Sequence, residues 1–223
     1  MLLAWRQRPW RGLTEQTVIS CRIQVFAKAP TPGLVKTRLI PVLGAHAAAE
    51  LHRKLVTRTL RTAVAAATGE VELWCAPNAQ DAFFAACAEQ FGLSLREQGE
   101  GDLGIRMAGA LETAVADGSA ALLIGSDCPA LTAEYLRAAA HACAGANDAV
   151  FGPAEDGGYV LIGLVRRPSP QLFENMAWGT ATVMQETRLR LARLDWRWTE
   201  LATLWDVDRL EDLPRLRQLL AEQ

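Results

Sequence analysis

The chain has 223 residues, half of them hydrophobic, and a formal net charge of −2. That length makes one domain with a full core the default, and the near-neutral balance argues against nucleic acid as the main partner. No apolar run approaches the roughly 18 residues a membrane helix needs, and the five cysteines (21, 75, 87, 128, 143) are odd in number and form no C-x-x-C pair, which points to a reduced, cytoplasmic protein.

Residues 1–21 include Trp5, Trp10, Arg6, Arg8 and Arg11 without periodicity and without the apolar stretch of a secretory signal. They read as an arm outside the core, leaving residues 22–223 as a single domain. "RIQVFA" (Arg22 to Ala27) is a short β-branched strand. A loop, "KAPTPGLVKTRLIP", follows it and is punctuated by Pro30, Pro32, Gly33 and Pro41. The spacing predicts a helix from about Ala45 to Ala67, a strand at "VELWCA", a helix at "DAFFAACAEQF" and a weak strand at "LSLREQ". "GEGDLG" opens a helix over Ile105 to Val115. "AALLIG" is a strongly apolar strand stopped by "SDCP", and Thr132 caps a helix reaching Cys143. "DAVFGP" and "GYVLIGL" are strands around "AEDG". After the irregular "RRPSPQ" come a helix near Ala181 to Leu194, a short strand "WRWTEL", the segment "WDVDRLEDL" and a closing helix.

Strands that alternate with helices imply an α/β protein whose mainly parallel sheet is covered on both faces. The late strand pair and the Pro-rich segment imply mixed strands toward one edge. Ligands of open α/β sheets bind at the carboxyl ends of strands. Four polar loops fall there: 28–38, 99–106, 126–129 and 153–158.

"GEGDLG" (Gly99 to Gly104) spells G-x-G-x-x-G, with Asp127 further on, but it does not read as a dinucleotide fingerprint. The strand before it is polar, and Glu100 and Asp102 would face a pyrophosphate with like charge. The first loop suits phosphates better. Lys28, Lys36 and Arg38 stand within eleven residues after the first strand, a pattern fit for a di- or triphosphate or for a merely solvated basic loop. Asp127, at the end of the "LLIG" strand, is a hard oxygen ligand where Mg²⁺ or Mn²⁺ could bridge to phosphates. Asp156, Gly157 and Gly158 form a tight turn that can also line a pocket. Asp206 and Asp208 lie two apart. Asp208 could cap the last helix, with Glu211 completing a capping box, or supply a second metal carboxylate.

With these elements in order, the sequence resembles a glycosyltransferase-A-type (GT-A) nucleotide-binding domain. More narrowly it resembles bacterial glycosyltransferase-like proteins associated with radical-SAM and arsenosugar gene neighbourhoods, relatives of the 2-phospho-lactate guanylyltransferases. The stretches that carry the likeness are "FAKAPTPGLVKTRL", "GEGDLGIRM", "GSDCPAL", "GPAEDGGYVLIGL", "WGT" and "DVDRLEDL", within about Ile23 to Leu220. The resemblance implies a three-layer nucleotide-diphospho-sugar transferase fold with a divalent cation, Mg²⁺ or Mn²⁺. It implies Lys28, Lys36 and Arg38 on the nucleotide phosphates, and Gln98, Asp102 and Arg106 near base and ribose. It further implies Asp127 and Asp208 at the metal, Asp156, Gly157, Gly158 and Tyr159 on the donor or acceptor side, and Trp178 over the acceptor. The family's usual Asp-x-Asp is here Ser126-Asp127-Cys128, so one aspartate stands where two are customary.

Three functions follow as expectations. A glycosyltransferase would move a sugar from a nucleotide sugar to a small acceptor, with Asp127, Lys36 and Asp156 central to the chemistry and Asp156 or Glu155 as general base. A nucleotidyltransferase would join a nucleoside monophosphate to a phosphorylated acceptor and release pyrophosphate. A nucleotide-binding scaffold would do neither. The expected partners are a nucleotide or nucleotide sugar and a small acceptor, without nucleic acid or a membrane span. Trp196, Trp198 and Trp205 are expected to leave an aromatic patch for self-association.

Overall fold

The computed structural model describes residues 21–221, so the arm read from residues 1–21 lies almost wholly outside them. In chain order the elements are β1 (Cys21–Lys28), α1 (Ile40–Leu43), α2 (Ala45–Ala66), β2 (Val71–Ala76), α3 (Ala82–Phe91), β3 (Ser94–Glu97), α4 (Leu103–Ala116) and β4 (Ala120–Ile124). They continue with α5 (Ala133–Ala144), β5 (Ala149–Pro153), β6 (Tyr159–Leu164), α6 (Pro170–Phe173), α7 (Val183–Arg193), β7 (Trp198–Glu200) and α8 (Asp212–Ala221).

The strands form one mixed sheet in the order β3-β2-β1-β4-β6-β5-β7. Pairing is parallel from β3 through β4 and between β5 and β7. It is antiparallel where β6 meets β4 and β5. Strand periodicity explains the three layers. Ile23, Val25, Leu122 and Ile124 face one cluster with Val56, Leu60, Phe84 and Leu136 of α2, α3 and α5. Phe26, Ala121, Leu123 and Ile162 face the opposite cluster, with Met107 and Leu111 of α4 and Leu191 of α7. A third, smaller cluster joins Leu39 and Leu55 to Trp205, Val207 and Leu213, fastening the C-terminal segment beside α2.

The strand order reverses between β1 and β4, so the carboxyl ends of these two strands form the crevice where such sheets place ligands.

Two expectations are corrected. The Pro-rich first loop is not wholly irregular, because it contains a 3₁₀ turn (Thr37–Leu39) and α1. Pro41 lies in the first turn of α1, where its missing N–H costs no hydrogen bond. The three tryptophans form no exposed patch. Trp196 and Trp205 are buried, with Arg166 and Arg215 stacked over their rings at 4.9 and 4.4 Å. Among the described residues, no helix is long and apolar enough to cross a membrane.

Candidate active site

β4 is entirely buried and ends at Ile124, which carries Asp127 to the sheet edge within three residues. Its carboxylate meets the first loop. Lys36 Nζ lies 2.8 Å from Asp127 Oδ1 and donates to the Val207 carbonyl at 2.6 Å. The Lys36 side chain is 3% exposed, whereas that of Asp127 is 46% exposed. Lys36 is therefore a buried ammonium, and Asp127 keeps one side open to solvent. Lys36 also holds a left-handed backbone conformation, φ 47°, uncommon for a residue with a side chain. Burial by itself would raise the carboxyl pKa of Asp127, but the neighbouring Lys36 and His52 hold it well below the usual carboxylate range.

His52, six residues from His46, has no metal-ligand spacing in the sequence. In the structure it is buried on α2 with Nδ1 3.6 Å from Asp127 Oδ1. Its Nε2 lies 3.0 Å from the Lys28 carbonyl, an oxygen that can only accept, so Nε2 carries a proton. His52 thus ties the end of β1 to the end of β4. Its only sequence signal is a polar residue on the apolar face of a long helix.

A cavity of about 440 Å³ opens above these groups. It brings together Lys28, Lys36, Arg38, Gln98, Arg106 and Asp127, six of the expected residues, from β1, the first loop, the β3–α4 connection, α4 and the loop after β4. Asp208 also lines it and pairs with the Arg38 guanidinium, so its carboxylate is committed to a cation. Gln98 has no spare amide hydrogen for a base. Its Nε2 donates to the carbonyls of Ala27 and Trp74, and its Oε1 accepts from Arg106 Nη1 at 2.9 Å. Gln98 therefore aims Arg106 at the cavity. Asp102 is not brought to the cavity: its side chain caps α4 by accepting from Ile105 N at 2.9 Å. The glycines of "GEGDLG" serve backbone shape and packing. Gly99 and Gly101 have positive φ, and a Cβ on Gly104 would stand 2.8 Å from the Trp178 ring.

A second cavity, about 180 Å³, shares Leu103 with the first. Asp156, Gly158, Tyr159, Trp178 and Asp206 line it. Gly157 does not. It holds the turn at φ +88°, and a Cβ there would stand 2.1 Å from the Ala181 carbonyl oxygen. Asp156 accepts from Gly158 N at 2.9 Å, and Glu155 is drawn away to Arg215 at 2.8 Å. Of the two acids proposed as base, only Asp156 lines this cavity. The Tyr159 and Trp178 rings meet edge to face at 6.4 Å.

Asp206 and Asp208 do not share a cavity. The alternation Trp205 and Val207 inward, Asp206 and Asp208 outward, follows from burial of the two apolar residues. Val207 N donates to the Asp127 carbonyl and pins the segment beside β4. The chain then turns into α8, whose first residue, Asp212, reaches back: its Oδ2 accepts from Asp208 N and Arg209 N and holds the turn before the helix. Asp206 is left near Asp127 and Asp156. Burial first, then those two charges, push its carboxyl up to about 7.

Among the described residues, no group of three or more His, Cys, Asp or Glu is arranged to hold a metal ion. The donor chemistry nevertheless fits a nucleotide-bound Mg²⁺ or Mn²⁺. Such ions are commonly held by one or two carboxylates with the remaining oxygens from phosphates and water. Asp127, ionised and half open beside a cation-lined cavity, supplies one such carboxylate.

No curated protein matches the sequence. Among solved structures, the chain is similar to one from Desulfovibrio desulfuricans G20 named as a candidate nucleotide-diphospho-sugar transferase. Identity is 32%, coverage 92% of this chain and 95% of that one, and the TM-score 0.79. The fold is shared with 4-diphosphocytidyl-2C-methyl-D-erythritol synthase from Anaerococcus prevotii DSM 20548, at 14% identity, 92% and 98% coverage and TM-score 0.59. It is also shared with glucosyl-3-phosphoglycerate synthase from Mycobacterium tuberculosis, solved with Mn²⁺ and UDP, at 11% identity, 98% and 84% coverage and TM-score 0.53. The three-layer fold is thus of the nucleotide-diphospho-sugar transferase type. With residues 59–180 matching its model, the chain belongs to the family described as "Uncharacterized protein conserved in bacteria (DUF2064)".

Proposed function

We propose that this protein is a cytoplasmic glycosyltransferase that moves a sugar from a nucleotide-sugar donor to a small acceptor, with residues 22–223 acting as one GT-A-like domain. It would fall in the radical-SAM- and arsenosugar-associated branch, related to the 2-phospho-lactate guanylyltransferases. The observation that carries this reading is the pair of adjoining cavities: one rich in cations beside Asp127, the other acidic and aromatic, meeting at Leu103. The 32% identical relative named for nucleotide-diphospho-sugar transfer supports it.

Lys28, Arg38 and Arg106 face the donor diphosphate. Lys36 keeps Asp127 ionised and oriented. Asp127, together with nucleotide oxygens, would hold Mg²⁺ or Mn²⁺, whose chemistry is to neutralise charge on the departing diphosphate. Asp156 takes the proton of an acceptor hydroxyl as its oxygen attacks the anomeric carbon. One C–O bond forms while the sugar–diphosphate C–O bond breaks, and its electron pair leaves with the nucleoside diphosphate.

The cluster of cations around the larger cavity also suits a triphosphate, so nucleotidyl transfer is the second reading. A thermal-shift panel separates them, because a ligand that binds only the native state raises its melting temperature. With Mg²⁺ or Mn²⁺ present, stabilisation by one nucleotide sugar, equalled by its diphosphate and not exceeded by the triphosphate, is expected. Greatest stabilisation by a triphosphate overturns glycosyl transfer in favour of nucleotidyl transfer. In calorimetry, Asp127→Ala should remove the metal dependence of nucleotide affinity, and an unchanged dependence would refute the metal role.

A further inference from the structure

We infer that the smaller cavity selects an uncharged, sugar-like acceptor and excludes acceptors carrying phosphate or carboxylate, with Asp156 and Asp206 as the residues that set this specificity. The inference deepens the transferase reading and rests on it. Its basis is the segregation of charge between two cavities that touch. The larger one gathers Lys28, Lys36, Arg38 and Arg106. The smaller has no Lys, Arg or His in its lining, and its two ionisable carboxyls are those of Asp156 and Asp206. Arg190, whose charge reaches Tyr159, is already committed: its Nε donates to Glu186 at 2.8 Å and its Nη1 to the Glu174 carbonyl at 2.6 Å.

An anionic acceptor placed there would therefore meet carboxylates with no cation in the lining to offset them, which is how a site rejects a wrong partner. The remaining lining suits a sugar. Carboxylates accept hydrogen bonds from hydroxyls, the Thr180 oxygen can accept one more while its hydrogen goes to the Ala177 carbonyl at 2.8 Å, and the Tyr159 and Trp178 rings give apolar surface for C–H groups. The volume, about 180 Å³, is of the order of one sugar ring rather than a polymer. The fixed turn also sets the position of Asp156, because Gly158 N holds its Oδ1 at 2.9 Å.

The test uses matched probes that need no turnover. Ligand-observed saturation-transfer NMR is recorded with methyl α-D-glucoside and with glucose 6-phosphate, each with UDP present to occupy the cationic cavity. The neutral glucoside is expected to give a signal at least about tenfold stronger, lost in Trp178→Ala. The nearly isosteric Asp156→Asn/Asp206→Asn double variant is expected to admit glucose 6-phosphate and narrow the gap to about threefold or less. Circular dichroism verifies that both variants are folded, and Thr180→Val provides a smaller perturbation if Trp178→Ala is not. Equal or stronger binding of the phosphate probe to the wild type would overturn the inference. So would silence from both probes, or a gap untouched by the double variant. Failure of the transferase reading shows elsewhere, as the absence of any thermal shift with nucleotides, and leaves the probe comparison readable.

Discussion

Lys36→Met tests whether a buried ammonium organises the site. Methionine keeps the length and most of the volume and leaves the left-handed backbone position as strained as before, so the change isolates the charge. At 2.8 Å and an effective dielectric of about 20, the attraction between Lys36 and Asp127 is roughly 6 kcal/mol before desolvation is subtracted. Breaking a fully buried pair costs about 3–5 kcal/mol. Asp127 is nearly half exposed, so water would recover part of this, leaving about 2 kcal/mol, with about 1 more for the Val207 carbonyl that loses its donor. The expected total loss is about 2–3 kcal/mol at pH 7, read from urea midpoints at unchanged slope. In an Asp127→Asn background the same substitution should cost at least about 1 kcal/mol less, since the partner charge is gone. Asp127 is held below its ordinary pKa, so its contribution is full above about pH 4 and falls away as pH drops through its folded pKa. The gap between wild type and variant should accordingly hold from pH 8 to 5 and shrink below 4. A cost under about 1 kcal/mol, or one unchanged by Asp127→Asn, would refute the assignment.

Asp206→Asn should act in the opposite direction. Its carboxyl is raised to about 7, so ionisation opposes folding progressively between about pH 4 and 7 and by a constant amount above. In chelator-treated protein the variant should gain about 1 kcal/mol or more at pH 8 and almost nothing at pH 4, as thermal melts at the two pH values would show. Gly157→Ala should cost several kcal/mol, because its Cβ would meet the Ala181 carbonyl at 2.1 Å. Gly33→Ala, at φ +87° with nothing within 4 Å, should cost only about 1. Equal losses would mean that backbone conformation rather than contact sets the effect. Gln98→Leu removes the acceptor that aims Arg106, so calorimetry should show nucleotide affinity falling about tenfold, and falling no further when Arg106→Ala is added.

The strand skeleton was legible because it rests on local pattern. The fully buried β4 is a run of apolar residues, and β1 and β2 are short, mostly apolar stretches with a proline at or just past their ends. Asp127 and the basic first loop could be found for the same reason: each follows directly from the end of such a strand. What the sequence could not show is which side chains meet across long stretches of chain. Lys36 reaches Val207 across 171 residues, and Arg38 reaches Asp208 across 170. Three cations that look equivalent in sequence therefore take different duties. Lys36 is buried as the partner of Asp127, Arg38 is held by Asp208, and Lys28 lines the cavity while its carbonyl anchors His52. His52 was invisible because a lone histidine on a helix gains meaning only when α2 packs against the ends of two strands. The pair Asp206 and Asp208 shows how a local rule stops short. Period-two alternation puts both acids outward of Trp205 and Val207, yet Asp208 lines the cationic cavity, where Arg38 pairs with it, and Asp206 lines the acidic one. That division contributes to the opposite character of the two cavities, and the partner that draws Asp208 to the cationic one, Arg38, lies 170 residues back in the chain.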